Sequence, residues 1–103
     1  MKPVFITFTD DKGKKTKTYT TCTLKTGLMD SIFEIAERAQ AMDAGNVDIA
    51  EVRAFYRDLK AIIVKAFGNE FTMDELNEGI ENDALMKAFQ ELCANAMGGI
   101  QKN

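Results

Sequence analysis

The segment between the second and third predicted helices constrains the fold of this 103-residue chain more than any other. An apolar helical pattern ends at Phe67, and Gly68 or Asn69 can adopt the left-handed backbone conformation that ends a helix. Thr72 and Glu75 have the spacing of a capping box, in which the two side chains bind free backbone amides at a helix start. The segment therefore predicts a long helix, a tight connection and a short acidic helix.

The first 24 residues predict a β-hairpin. Residues 4–9 are mostly β-branched or aromatic, residues 17–24 are rich in threonine, and Gly13 lies in the turn between them. An isolated hairpin is marginally stable in water, so it must pack on the helices or extend a sheet in another copy. Lysines in this region either discourage edge-to-edge aggregation or form a docking patch for an acidic partner. They are Lys12, Lys14, Lys15 and Lys17.

Residues 27–97 predict about four helices, because apolar residues recur at spacings of three and four. The expected fold class is therefore α+β, with an N-terminal β-hairpin followed by a small helical bundle in a single domain over residues 1–103. The expected helices span residues 27–42, 48–67, 73–80 and 82 or 83 to 97.

Polar residues and glycines define the expected helix ends. Thr26 can cap the first helix, and Asp48 with Glu51 three residues later resembles a second cap. The glycine pair after residue 97 is expected to end the last helix, which leaves residues 98–103 as a flexible tail.

The second predicted helix has an unusually broad apolar face. A face of this width indicates the central helix of a small core, or a helix of which part forms a groove for a partner. Its apolar residues are Ile49, Val52, Phe55, Tyr56, Leu59, Ile62, Ile63, Ala66 and Phe67.

Charge and composition exclude several classes of partner. A net charge of −3 and a pI near 4.9 give no general attraction to nucleic acid or to anionic lipid, so neither is expected to bind. No apolar run approaches the roughly 20 residues that span a bilayer. Cys22 and Cys93 follow no secretory signal, so reduced thiols are favoured over a disulfide. The expected location is the cytosol.

The sequence contains no recognisable catalytic or cofactor site. Histidine is absent, and so are a Walker loop, a dinucleotide fingerprint and a nucleophile elbow. A calcium loop starting at Asp43 would place Ala54 where a bidentate glutamate is required. Ser31 resembles the modified serine of acyl carrier proteins but follows a threonine-rich strand instead of a helix and a long loop. We therefore expect a non-enzymatic protein without metal or cofactor.

The string AFGNEFTMDELNEGI, followed by NDALM and a Gly-Gly tail, resembles the tail assembly chaperones of long-tailed bacteriophages. More narrowly, it is similar to the G-type chaperones of phages that infect Gram-positive bacteria. The resemblance extends upstream through two helices and the threonine-rich strand. The residues that carry the motif are Phe67, Gly68, Asn69, Phe71, Thr72 and Gly79.

The resemblance implies a protein that binds the tape measure protein, keeps it soluble and helps to recruit tail tube protein. In many such systems a longer form made by −1 frameshifting performs the recruitment, and Gln101-Lys102-Asn103 can be encoded as the slippery CAA-AAA-AAC. The resemblance also implies residence in the host cytoplasm, absence from the mature virion and a possible homo-oligomer. The alternatives are a structural or neck-joining protein retained in the virion, and a small adaptor or regulatory domain.

Partner contact is expected at exposed apolar side chains of the C-terminal helices, chiefly Phe71, Met86 and Met97. Methionine is unbranched and polarizable, so it contacts many related helices without close shape complementarity. The alternative is that these three side chains belong to the core.

Overall fold

Within residues 3–21 and 24–101, which the computed structural model describes, two antiparallel strands precede four helices. In chain order the elements are β1 (Phe5–Thr9), β2 (Lys15–Thr20), α1 (Thr26–Ala44), α2 (Ile49–Ala66), α3 (Met73–Gly79) and α4 (Asn82–Gln101). The predicted α+β class, a hairpin followed by a small helical bundle, is confirmed.

The hairpin forms as predicted, but β2 begins and ends earlier than the expected residues 17–24. Asp10 Oδ1 accepts hydrogen bonds from the backbone N–H groups of Lys12 and Lys14, both at 2.9 Å. These bonds close the turn at Lys14, so strand pairing begins at the next residue. Gly13 has a φ of +79°, which few other residues adopt at low cost.

The predicted cap of α2 is confirmed, and that of α1 is wrong. Asp48 lies immediately before α2, and its side chain accepts a hydrogen bond from the Glu51 N–H at 2.9 Å. Thr26 is already helical in α1, so the cap position falls on Lys25. Because a lysine side chain has no hydrogen-bond acceptor, α1 begins without a side-chain cap.

The predicted capping box of α3 is confirmed. Thr72 Oγ1 accepts a hydrogen bond from the Glu75 N–H at 3.1 Å, and Glu75 Oε1 accepts one from the Thr72 N–H at 2.9 Å. The two bonds satisfy backbone donors that a helix start otherwise leaves free, and they fix the direction in which α3 leaves the connection.

The predicted end of α4 is wrong, because the helix continues through Gly98 and Gly99 to Gln101. Each glycine costs a helix about 1 kcal/mol relative to alanine but still provides both backbone hydrogen-bonding groups. The pair therefore weakens α4 without ending it. The predicted flexible tail 98–103 is helical as far as residue 101, and its last two residues lie outside the described residues.

A single buried core joins β1 to the four helices. Its members include Val4, Ile6, Phe8, Ile32, Ile35, Phe55, Leu59, Ile62, Ile63, Ala66, Leu76, Leu85, Ala88, Phe89, Leu92 and Ala96. Ile49, predicted to belong to the core face of α2, is instead 79% exposed, because it is the first residue of the helix and follows the exposed connection 45–48. Arg38 of α1 and Asp58 of α2 form a partly exposed ion pair at 2.7 Å, worth at most about 1 kcal/mol.

Candidate partner-binding surfaces

The α2–α3 connection is a tight turn with two residues in the left-handed conformation. Gly68 has a φ of +74° and Asn69 a φ of +59°. The Gly68 N–H donates to the Lys65 carbonyl, and the Asn69 N–H donates to the Val64 carbonyl, both at 3.0 Å. This pair of bonds is a Schellman motif, which satisfies the last carbonyls of α2 and reverses the chain. The prediction that Gly68 or Asn69 ends the helix is confirmed.

The turn brings Phe71 into a cluster of four aromatic rings. The centroid of the Phe71 ring lies 5.0 Å from that of Phe8, 4.9 Å from that of Tyr19 and 5.9 Å from that of Phe67. Phe8 and Tyr19 belong to different strands of the hairpin, and their own centroids are 5.3 Å apart. The cluster therefore attaches the hairpin to the end of α2, through residues far apart in sequence.

The expectation that Phe71 is exposed for partner contact is wrong. Its side chain is only 2% exposed. The Schellman motif turns the chain back on itself, and Thr72, the next residue after Phe71, is the N-cap of α3. Between these two constraints, the ring points into the core beneath the hairpin. Phe71 thus stabilises the fold and has no free surface to offer a partner.

Gly79, another residue of the motif, lies at the end of α3 close to Phe8 of the hairpin. A Cβ atom at this position would lie 2.7 Å from Cδ2 of Phe8, well inside van der Waals contact. The Phe8 ring is itself held by Tyr19 and Phe71, so it has little freedom to move aside. The motif residues Phe67 to Gly79 accordingly share one role, which is to join α2, α3 and the hairpin.

The two methionines proposed for partner contact differ in exposure. Met86 is half-buried and packs against the core, whereas Met97 is 44% exposed on α4. Met97 therefore retains the accessibility that partner contact requires, while Met86 offers only part of its side chain.

Among the described residues, three exposed large apolar residues were not predicted to contact a partner. Phe5 is 58% exposed on the outer face of the hairpin, and Val47 and Ile49 are exposed at the α1–α2 connection. Phe5 alternates with buried Val4 and Ile6, and this alternation is the signal that places its side chain on the opposite face of the strand. For Ile49 the helical pattern wrongly predicts burial, because Ile49 continues the apolar face of α2.

A groove of about 460 Å³ lies between the start of α1 and the end of α2. Leu28, Ala66 and Phe67 form its apolar part. Thr20 of β2 lies on its wall, together with polar and charged residues that include Lys25, Ser31, Lys65 and Glu70. Its mixed lining suits an apolar side chain flanked by polar groups.

Possible metal ligands and nucleophiles are dispersed among the described residues. No cluster of three histidine, cysteine or acidic side chains able to hold a metal occurs among them. Burial raises the pKa of the Cys93 thiol, which disfavours the reactive thiolate. The prediction for Cys22 lies outside the described residues. In the same described part of the chain, every helix is too short or too polar to cross a membrane.

Comparison with known families identifies the family of this chain. The family described as phage tail chaperone protein matches residues 1–103. The chain belongs to the phage tail chaperone family. No curated protein and no solved structure matches it.

The surface charge of this chaperone is unevenly distributed. Residues 70–83 contain six carboxylates and neither lysine nor arginine. All six are exposed: Glu70, Asp74, Glu75, Glu78, Glu81 and Asp83. The hairpin turn and β2 carry four exposed lysines instead. The acidic region therefore favours basic segments of other proteins, and the lysine-rich hairpin favours acidic segments.

Proposed function

We propose that this chaperone binds the tape measure protein of its phage and keeps it soluble during tail assembly. The observation that carries the proposal is the match to the phage tail chaperone family over residues 1–103. The resemblance of the segment around Phe67–Gly79 to G-type chaperones supports this more specific assignment. Tape measure proteins of such phages are long and largely helical, and helices with uncovered apolar stripes aggregate unless something binds them.

The surface of the chaperone supports binding to such a helix. Met97 offers an exposed thioether on α4, and half-buried Met86 lies on the same helix. Flexible methionine side chains adapt to apolar stripes of varied sequence. The net charge of −3 favours solubility of a complex that carries several copies of the chaperone.

Co-expression with the tape measure protein tests this proposal. The chaperone should raise the soluble fraction of the tape measure protein, and Met97→Gln should reduce that effect while leaving the free energy of unfolding within about 0.5 kcal/mol. Ile49→Gln is the matched control, since it removes an exposed apolar side chain from another part of the surface. If Ile49→Gln reduces solubility and Met97→Gln does not, the binding face is the α1–α2 connection instead of α4.

Recruitment of tail tube protein by a frameshifted longer form is the second part of the proposal. The codons of Gln101-Lys102-Asn103 should then contain the slippery heptamer, with an overlapping −1 reading frame downstream. We further propose that the chaperone acts in the host cytoplasm and leaves before the tail is complete. Mass spectrometry of purified virions tests this point, because stoichiometric retention would favour a structural or neck-joining protein.

A further inference from the structure

The second strand of the hairpin has one edge that is not paired. Among the described residues, β1 is the only strand or helix that approaches β2. The side chains of β2 are exposed along the whole strand except Tyr19, which is half-buried. An open strand edge presents backbone donors and acceptors to which another extended chain can bind.

The pattern of hydrogen bonds between β1 and β2 identifies which backbone groups of β2 point toward its free edge. The Thr21 N–H donates to the Val4 carbonyl at 3.0 Å, and the Val4 N–H donates to Thr21 Oγ1 at 3.1 Å, so the backbone groups of the two residues point toward each other as in a hydrogen-bonded pair. Such pairs alternate along an antiparallel ladder with pairs whose backbone groups point outward. Thr20 and Thr18 therefore direct their N–H and C=O groups to the free edge. The Oγ1 atoms of Thr18 and of Thr7, its partner on β1, are 3.1 Å apart. This short distance agrees with the closer spacing of a pair whose backbone groups point outward.

The charges beside this edge select its occupant. Lys15 and Lys17 lie at the start of β2, Lys14 immediately precedes it, and all three are exposed. If two copies paired through this edge in antiparallel fashion, the start of each β2 would lie beside the end of the other, and β2 has no carboxylate that could pair with the lysines there. An acidic segment gains favourable interactions from the same lysines.

The groove between α1 and α2 lies at the other end of β2. Thr20, the last residue of the strand, also lines the groove. Leu28 and Phe67 supply apolar surface there, and Lys25 and Lys65 outnumber the single carboxylate of Glu70 among its charged lining residues. A chain that extends along β2 past Thr20 therefore meets an apolar pocket with a net positive border.

We propose that the free edge of β2 binds an extended acidic segment of a partner protein, which adds to the hairpin as a third strand and places an apolar side chain in the groove beside Thr20. Main-chain hydrogen bonds to Thr18 and Thr20 provide the register, and the lysines provide selectivity for acidic sequences. Helix α4, which carries Met97, does not approach β2 among the described residues, so the β2 edge is a second contact site whether or not the tape measure protein binds at α4.

The test uses the full chain and a fluorescent synthetic peptide of alternating valine and glutamate that ends in leucine. Thr18→Pro removes one outward N–H without removing a bond to β1, and proline is tolerated at such edge positions. We expect Thr18→Pro to weaken peptide binding by about tenfold, measured by fluorescence anisotropy. Thr18→Val, which keeps the N–H, should bind as the wild-type chain does. Equal binding by Thr18→Pro and Thr18→Val overturns the proposal of strand addition.

Two further experiments test whether the lysines and the groove beside Thr20 contribute to peptide binding. Replacing glutamate by lysine in the peptide, or Lys14 and Lys15 by glutamate in the protein, should each weaken binding, and combining both changes should restore it. Replacing the terminal leucine of the peptide by serine should weaken binding without altering the effect of Thr18→Pro. Far-ultraviolet circular dichroism establishes that the variants are folded. If the wild-type chain self-associates and Thr18→Pro makes it monomeric, the occupant is a second copy and the proposal is wrong.

Discussion

The two helix–helix connections that follow α1 and α2 begin in the same way and fold differently. Both contain Gly-Asn, as Gly45-Asn46 and as Gly68-Asn69. The second pair adopts positive φ values and forms the Schellman motif. At the first, Gly45 is extended, with φ −157° and ψ −173°. The dipeptide thus marks where each helix ends but does not determine how the chain continues.

The difference lies in what flanks each pair. Phe67 and Phe71 are both buried, and their rings join the cluster formed with the hairpin. The first connection is followed by Val47 and Ile49, which remain exposed. Because buried aromatic rings fix both sides of the α2–α3 connection, a single compact conformation is selected there. No equivalent anchor holds the α1–α2 connection among the described residues, and we expect it to tolerate substitution better.

Removing the buried Phe71 ring is expected to have the largest effect on the free energy of unfolding. Phe71→Ala deletes a buried ring that contacts three others, and it should lower the free energy of unfolding by about 3–5 kcal/mol. Ile49→Ala, the matched change at the α1–α2 connection, should shift it by no more than about 0.5 kcal/mol. Urea denaturation followed by circular dichroism measures both. Equal losses for the two variants would contradict the distinction between an anchored and an unanchored connection.

The close approach of α3 to the hairpin provides a second test. Gly79→Ala should cost about 1–3 kcal/mol, because the new methyl group meets the Phe8 ring at 2.7 Å and the ring is packed on its other sides. Gly98→Ala in α4 is the control, since nothing lies within 4 Å of its Cβ position, and it should stabilise the protein by about 0.4–1 kcal/mol. A neutral Gly79→Ala variant would mean that α3 shifts easily and is not fixed by the cluster.

Replacing the glycines of the two connections by alanine should have different effects on stability. Gly68→Ala places a side chain at a φ of +74°, at a cost of about 1–2 kcal/mol. Gly45→Ala keeps an extended conformation that alanine also adopts, in open space, so it should be neutral or stabilise by up to about 1 kcal/mol. Thermal unfolding of both variants measures the contrast. Similar destabilisation by both would indicate that the α1–α2 connection also depends on its glycine conformation.

These contrasts show which parts of the fold were predictable from sequence. The caps at Asp48 and Thr72 and the left-handed turn at Gly68 depend on residues within five positions of one another, so short patterns identify them. The burial of Phe71 depends on Phe8 and Tyr19, which lie far away in the chain and whose arrangement no local pattern contains.

The candidate contact surface was less predictable for a related reason. Exposure of Met97 and burial of Phe71 are decided by which faces the other elements cover, and both residues are ordinary apolar side chains in a helical or flanking pattern. The free edge of β2 follows from the strand order, which becomes known only when the described elements are placed together. Neither site contains catalytic or metal-binding residues whose chemistry would identify it in the sequence.

Among the changes expected to destabilise the protein, the smallest losses are expected at the helix caps, which both connections contain. Asp48→Ala and Thr72→Ala each remove a side-chain acceptor from the first turn of a helix, and each should cost about 1 kcal/mol. If caps act locally, chemical denaturation should give similar losses in the exposed and the anchored connection. A much larger loss for Thr72→Ala would show that the capping box also positions Phe71, so that local hydrogen bonding and aromatic packing are coupled at that connection. The double variant Thr72→Ala with Phe71→Leu decides between the two cases, because coupling makes its loss differ from the sum of the single losses.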